Sequence, residues 1–477
     1  MSLRIALAAA IATVVTAGCA AAPPAAAPAS LHEAPLAGTA LPTGGAWPVA
    51  DWWQRYQDPT LDTLVGTALA DSPTLAAAHA RFDSARESVR LAAAAVGAHV
   101  DASAQLARQR LSDNGLFPPK FLGFNWYNLA DLGLSASYTF DWWGKQRASV
   151  EAASSEAHAA AADRTAAALV LSGAVVDTYF GWQADQARIA LVQDRITALA
   201  RYGAIADARA HAALDDGDEH DRAVADLAAA RGQLAALQGS AQLRLVALAA
   251  LTGHAVAELP ALAPRPLPAL PAALPDRVGL DLLARRPDVA ASRWRVEAAQ
   301  RRRHVAAAQY YPDISIHALA GLQSIDLGHL LRAGSADPQV GLAIHLPLFD
   351  NGSRAAQLHL ADDEVSAAVA AYNDAVIGAA RDVASSVIAG QQAESERVQQ
   401  LAVVEAAASL EQSAAARARE GLTDLRPQLR AQDALLMQRD ALVQIDAARL
   451  SADIALQRAL GGGFDDSNSH YLSMDKR

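Results

Sequence analysis

The sequence predicts an α+β membrane protein in which long antiparallel coiled-coil helices alternate with four short β-strands, the whole plan occurring twice. Three observations predict it. First, Leu69–Arg81 lies without a gap on Leu283–Arg295, matching Leu, Ala, Pro, two Ala and Arg, and further pairs keep an offset near 210 residues. These are Gly133 with Gly341, Gly144 with Gly352, Arg209 with Arg417 and Leu214 with Leu422. A constant offset at three separate places marks an internal duplication. Second, period-two alternation appears at the same point of each copy: Leu132, Leu134, Ala136, Tyr138, Phe140, and Val340, Leu342, Ile344, Leu346, Leu348. Third, no proline occurs from Lys145 to about His211 or from Ser353 to about Arg419. At 1.5 Å per residue such stretches allow rods on the order of 100 Å, longer than a globular domain uses.

Composition bounds the rest. The 477 residues are 52% hydrophobic but only 5% aromatic, and 40 basic against 51 acidic side chains leave a net charge of -11. Nucleic-acid binding needs clustered Lys and Arg, so no nucleic-acid partner is expected. Beyond the first twenty residues no uninterrupted apolar run approaches the ~18 residues of a spanning helix. The best, Thr165 to Val176, is closed off by Asp163 and Asp177. The run criterion thus excludes a helical integral membrane protein.

In chain order, residues 1–18 read as a signal peptide: Arg4, an apolar stretch from Ile5 to Val15, then small residues before Cys19, the only cysteine. Cys19 is the candidate lipidation site, the alternative being an ordinary signal with a chance cysteine. Residues 19–47, rich in Ala and Pro, read as a tether. The first copy, 48–258, opens a helix after Ser72, with Pro in the first turn where its missing N–H costs nothing. It continues through two strands, one near Val100 to Arg108 and one at Leu132–Phe140, and then a long helix. Its returning limb keeps three-four spacing at Leu227, Ala230, Leu234, Leu237, Ala241, Leu248 and Leu251, with Arg244 the exception. Residues 259–275 are a Pro-rich linker. The second copy, 276–464, repeats the order: a helix after Arg286, strands at Ile314–Leu322 and Val340–Leu348, a long helix, and a returning limb with Leu435, Leu442, Ile445, Ala452 and Leu456. Residues 465–477 form a polar tail.

Each predicted strand is about ten residues, the length of a tilted bilayer-spanning strand, with every second residue apolar. A soluble four-stranded sheet shares that pattern. Four membrane strands cannot close a barrel alone, and an open edge leaves backbone groups unpaired in lipid. Membrane strands therefore require an oligomer that shares one barrel.

Six motifs in order resemble the TolC-like outer-membrane factor family, within it the efflux lipoprotein branch (NodT-type outer membrane subunits). They are Trp53 with Asp58-Pro59-Thr60-Leu61; Phe140-Asp141-Trp142-Trp143-Gly144; Leu283–Val289; Ala308–Ile314; Leu346–Gly352; and Ala459–Phe464. The resemblance spans about Pro48 to Phe464. It implies a homotrimer whose strands form one twelve-stranded outer-membrane barrel and whose helices form a periplasmic tube. It also implies that the duct works with a periplasmic adaptor (membrane fusion) protein and an inner-membrane efflux pump, and that Cys19 carries outer-membrane lipid. Gly144 and Gly352 would then be the strand-to-helix turns. In that branch a Leu ring and, one helical turn later, an Asp ring narrow the periplasmic entrance; aligned from Gly421 to Gln432, those places hold Arg426 and Arg430 here. Their first-copy counterparts are Asp218 and Arg222, within the cluster Asp215, Asp216, Asp218, Glu219 and Asp221. The expectation is that Arg426 and Arg430 pair with carboxylates of that cluster as a gate; the alternative is a solvated helix tip.

No enzyme signature is present, and neither metal nor cofactor is expected: the thirteen His lack ligand spacing. Gly461-Gly462-Gly463 reads as a helix stop, Arg301-Arg302-Arg303-His304 as a solvated helix face, and Arg285-Arg286-Pro287-Asp288 as an ion-paired helix start. Phe117, Phe121, Phe124, Trp126 and Tyr127 read as an extracellular loop with part of an aromatic belt, or as a loop packing on itself. The rival functional reading is a lipid-anchored periplasmic coiled-coil scaffold without a pore.

Overall fold

A computed structural model describes residues 43–114, 118–212, 214, 217–268, 274–275 and 285–465. Cys19, Phe117, Asp215 and Asp216 lie outside these. The described residues form two compact units, one within 83–158 and 293–371, the other within 43–82, 159–292 and 372–465.

The first unit is built around a four-stranded antiparallel sheet of β2 (His99–Arg110), β3 (Trp126–Phe140), β5 (Asp313–Ser324) and β6 (Ala336–His345), in the order β2-β3-β5-β6. Two hairpins, one from each copy, are joined through β3 and β5 with Leu132 opposite Leu322 and Phe140 opposite Ile314. Among the described residues, the edges β2 and β6 each present an unpaired row of backbone groups.

The second unit is helical apart from a short parallel pair, β1 (Thr43–Gly45) with β4 (Leu274–Pro275). Its elements include α1 (Pro59–Asp71) and α4 (Gly217–Thr252), with α7 (Arg426–Ala459) the returning limb of the second copy. Helices α2 (Pro73–Ala94), α3 (Lys145–His211), α5 (Pro287–Ala308) and α6 (Ser353–Arg419) contribute residues to both units. The proline-free stretches are thus helices of 67 residues each. The three-four spacing buries Ala230, Leu237, Ala241 and Leu248. Arg244, the break in that pattern, has its Nε 2.8 Å from the buried Asp185 carboxylate.

Two helices correct the run criterion: Lys145–His211 and Gly217–Thr252 each hold an 18-residue window of mean hydropathy 1.4, apolar enough by length and composition to cross a membrane. Scattered polar residues interrupt a run without lowering the average of an alanine-rich helix much.

The core of the second unit gathers Trp52, Trp53 and Tyr56 of a 3-10 turn, Leu61, Leu64, Val65 and Ala68 of α1, and Val175, Val176, Tyr179 and Phe180 of α3. Asp58 organises it. Its carboxylate caps α1 by accepting from Thr60 N at 3.0 Å, accepts from the Tyr179 hydroxyl at 2.6 Å and pairs with Arg265 at 3.2 Å. Replacing Asp58 by Ala removes a cap and leaves a buried hydroxyl without an acceptor, so we expect a loss of about 2–4 kcal/mol. Tyr179→Phe removes the hydroxyl's bonds to Asp58 and from Gln183 but leaves the cap in place, and should cost about 1–2 kcal/mol. Thermal unfolding in detergent checks this; equal shifts for the two variants would deny Asp58 its organising role.

At the end of α7, Gly461, Gly462 and Gly463 all adopt positive φ, as a helix stop requires. Added Cβ atoms at Gly461 and Gly463 would run into the backbones of Arg285 and Val49. Arg286 pairs with Asp288 at 2.6 Å and Asp382 at 3.2 Å, and Arg285 stacks on Trp47. Arg301, Arg302 and His304 are exposed, as a solvated face requires, and the run also makes contacts that the sequence did not indicate. Arg301 meets Glu151 at 2.9 Å, Arg302 meets Glu156 at 2.7 Å and Arg303 meets Asp362 at 2.5 Å. It is a set of interhelical ion pairs, because carboxylates on two neighbouring helices face it.

Candidate functional site: a two-faced sheet and a charged hairpin end

The register puts the alternating apolar residues of all four strands on one side. Val100, Ala102, Ala104 and Leu106 of β2 lie opposite Ala136, Leu134, Leu132 and Ala130 of β3. Those continue into Ala318, Ala320 and Leu322 of β5, and Tyr138 and Phe140 into Ile316 and Ile314. On β6, Val340, Leu342 and Ile344 extend the same surface. Much of it is bare: Val340 is 79% exposed, Val100 68%, Leu342 66% and Leu134 56%. The opposite side carries Asp101, Ser103, Gln105, Asp131, Ser135, Ser137, Thr139, Ser315, His317, Gln323, Asp337, Gln339 and His345, interrupted by Ala107, Leu129, Leu319, Ala343 and glycines. A soluble sheet would cover its apolar face and wet its polar one. Here the apolar face is open, as lipid contact demands.

Aromatic side chains mark both ends of the strands. Phe121, Phe124, Trp126 and Tyr127 stand at one, with Phe124 and Tyr127 6.4 Å apart. Phe140, Trp142, Trp143 and Tyr311 stand at the other, with Trp143 stacked on Tyr311 at 4.6 Å.

The strand-to-helix turns fall at Gly144 and Gly352, with φ of +73° and +85°, which admit glycine readily. Each turn also has an Asp cap. Asp141 accepts from the N–H groups of Gln146 and Arg147 at 3.0 and 2.9 Å. Asp350 accepts from those of Gly352 and Arg354 at 3.2 and 3.1 Å. The Arg354 side chain donates to Asp350 as well, at 2.6 Å. That bond, ahead of the backbone donors, holds the Asp350 carboxyl below the usual range.

At the hairpin end, Ala198, Tyr202 and Ala206 of α3 pack with Ala223 of α4 and Leu429 of α7. This places the Tyr202 hydroxyl between Glu219 and Arg430, donating to Glu219 and accepting from Arg430 Nε at 2.8 Å. The Arg430 guanidinium lies 4.8 Å from the Tyr202 ring centroid and 3.5 Å from Glu219 Oε1. Arg426 meets Glu219 Oε2 at 2.5 Å and Asp424 Oδ2 at 2.9 Å. Among the described members of the acidic cluster, then, Glu219 meets both arginines. Asp218, Asp221 and Arg222 are on the exposed side.

The hydrogen bond from Arg426 holds Asp424 below the usual carboxylate range. Burial, then donation to Glu219, raises Tyr202. Two further rungs follow: Arg195 to Asp433 at 2.9 Å and Arg188 to the buried Asp440 at 2.7 Å. Sequence reasoning missed Tyr202, Asp424, Asp433 and Asp440. The signal was available, since Arg188, Arg195 and Tyr202 are seven apart, as are Asp440, Asp433 and Arg426 running back. That is an antiparallel heptad ladder.

Known proteins agree with this geometry. The sequence model described as outer membrane efflux protein matches residues 64–254 and 280–462. The multidrug resistance outer membrane protein MdtP of Escherichia coli (strain K12) is 32% identical over 88% of this chain and 87% of its own length. The outer membrane protein VceC from Vibrio cholerae superposes with a TM-score of 0.80 at 33% identity, covering 88% of this chain and 100% of that one. For the outer-membrane channel OprN the TM-score is 0.83 at 27% identity, covering 92% and 98%. The chain therefore belongs to the outer membrane efflux protein family and has the fold of a TolC-like outer-membrane channel.

Proposed function

We propose that three copies of this chain form the exit duct of a tripartite efflux system, passing multidrug-type substrates from an inner-membrane pump and a periplasmic adaptor across the outer membrane. The observation that carries this is the sheet in which an exposed apolar face backs onto a polar one between two open edges. Such a sheet satisfies its backbone in lipid only when copies close it. Two copies would give about eight strands, a barrel filled by its own side chains, whereas about twelve leave a water-filled interior. The two copies of the plan, 48–258 and 276–464, would each supply a strand hairpin and a helical hairpin. Names of relatives such as MdtP support the substrate class.

Cys19, acylated at its thiol and new amino group, would anchor the mature chain, each buried CH₂ adding about 0.8 kcal/mol. Glu219, Arg426 and Arg430, with Asp424 and Tyr202 beside them, would close the periplasmic entrance.

Native mass spectrometry in detergent, heat-modifiable electrophoretic mobility and single-channel conductance test the duct. A trimer that conducts and shifts mobility on heating is expected; a monomer with folded strands, or a trimer that never conducts, would favour the poreless scaffold. Intact-mass analysis of the membrane-extracted chain should find Cys19 as a lipidated N-terminus. An unmodified Cys19 would remove the anchor from this reading.

A further inference from the structure

The charges of the strands are sorted by face. Arg108 and Arg110 are the only Lys or Arg in β2, β3, β5 and β6, and both lie on the apolar side near Trp126, with Arg108 over its ring at 5.7 Å. The polar side carries four carboxylates and no Lys or Arg. Asp313 at its lower edge is matched by Lys145 at 3.1 Å. The other three have no cationic partner among the ion pairs of the sheet: Asp131 accepts from the neutral Gln323 at 2.8 Å and Asp337 from the neutral Gln339 at 3.1 Å.

These three occupy successive ranks. Asp131 lies between Gln105 and Gln323. Asp337 lies one rank on, in the row of Ser103, Gly133 and Gly321. Asp101 lies in the next, beside Ser135. At about 3.3 Å per residue the three ranks span about 13 Å along the strands. The row after that holds His99, Ser137, His317 and Gly341, and His345 lies opposite Asp313. Beyond the upper strand ends, Asp113 meets Arg110 at 3.8 Å and Asp326 meets His329 at 3.4 Å.

We propose that Asp101, Asp131 and Asp337 make the barrel section of the duct cation-selective. This inference rests on the duct reading, which turns the polar face toward the lumen. Threefold repetition puts nine such carboxylates around one water-filled passage walled by protein and lipid, where like charges of one sign focus the field. A luminal potential of only one kT favours a monovalent cation over an anion about sevenfold. The same field favours cationic over anionic amphiphiles as cargo leaving the duct. In the rank of Asp337, Gly133 and Gly321 add no side chain of their own, and only Leu319 leans over them.

The test is the reversal potential of the purified, bilayer-inserted trimer in a KCl gradient at pH 8, comparing wild type with Asp101→Asn/Asp131→Asn/Asp337→Asn and the Asp→Glu triple. Wild type should prefer K⁺ over Cl⁻ severalfold, and more so at 0.1 M than at 1 M salt, where the Debye length falls from about 10 to 3 Å. The Asn triple should lose about threefold or more of that ratio while still conducting, and the Glu triple should keep it. A wild type without cation preference, or an Asn triple with an unchanged ratio, would overturn the proposal. Folded trimers that never conduct would instead strike the duct reading.

Discussion

Replacing Leu134 by Arg should abolish stable trimers, while Arg at the adjacent Ser135 should leave them intact. Leu134 sits mid-strand on β3, opposite Ala102 and Ala320, on the apolar face and 56% exposed. An Arg facing lipid near the bilayer midplane costs about 2–4 kcal/mol. In the proposed trimer three copies share one barrel, so the cost per trimer is about 6–12 kcal/mol if the sites are independent. That rivals the whole stability of an ordinary folded domain, about 5–15 kcal/mol. Ser135 points the other way, beside Asp101. An Arg there faces water and a carboxylate, so its effect on stability should stay below about 1 kcal/mol. Heat-modifiable mobility of membrane-extracted protein reads both variants. Equal tolerance would mean the apolar face does not meet lipid, and damage confined to Ser135→Arg would mean the faces are reversed.

That contrast between neighbours was legible in the sequence, because period-two alternation is a local property that survives wherever one face of a strand meets a single solvent. The long helices were legible for a similar reason: their bounds at Lys145–His211 and Ser353–Arg419 follow from runs without proline, ended by Gly or Asp. What local pattern does not encode is which strands neighbour each other across the duplication. The pairing of β3 with β5 joins residues almost 200 apart and required the fold. Helix α1 was missed although Leu61, Leu64, Val65 and Ala68 keep the spacing of one helix face over two turns, packed with Trp52 and Tyr56. The charges divide in the same way. Arg426 and Arg430 were visible as candidates, yet their partner Glu219 is chosen by the packing of Tyr202 against Ala223 and Leu429, which sequence spacing does not specify. Arg301 and Arg302 are exposed as the sequence suggested, yet their partners Glu151 and Glu156, and Asp362 beside Arg303, are set by the packing of neighbouring helices.

Replacing Arg426 and Arg430 together by Glu should open the resting channel, raising conductance in bilayers and antibiotic sensitivity in cells. Both guanidinium groups converge on Glu219, and reversing them sets two carboxylates against it and Asp424. Each partly exposed pair is worth only about 0.2–1 kcal/mol. The sign reversal adds repulsion of similar size, and threefold repetition multiplies both. A bias of about 3–6 kcal/mol across the trimer would shift a two-state entrance about a hundredfold or more. Since Glu219 is the shared partner, Glu219→Gln should reproduce part of the opening, and Tyr202→Phe, which removes its hydroxyl donor, a smaller part.

The acid limb has a definite sign. Asp424 is held below the ordinary carboxylate range by its bond from Arg426, so its contribution is present above the unfolded value near 3.9 and is lost as pH falls through the lower folded value. The helix start at Arg426 should therefore keep its Asp424 bond from neutral pH to about 5 and lose it only in stronger acid. Conductance recorded from low to high salt decides the matter, since screening should weaken the wild-type closure and leave the already open double variant unaffected. A double variant that matches wild type at every salt concentration would assign these arginines to a solvated helix end and place the closure elsewhere.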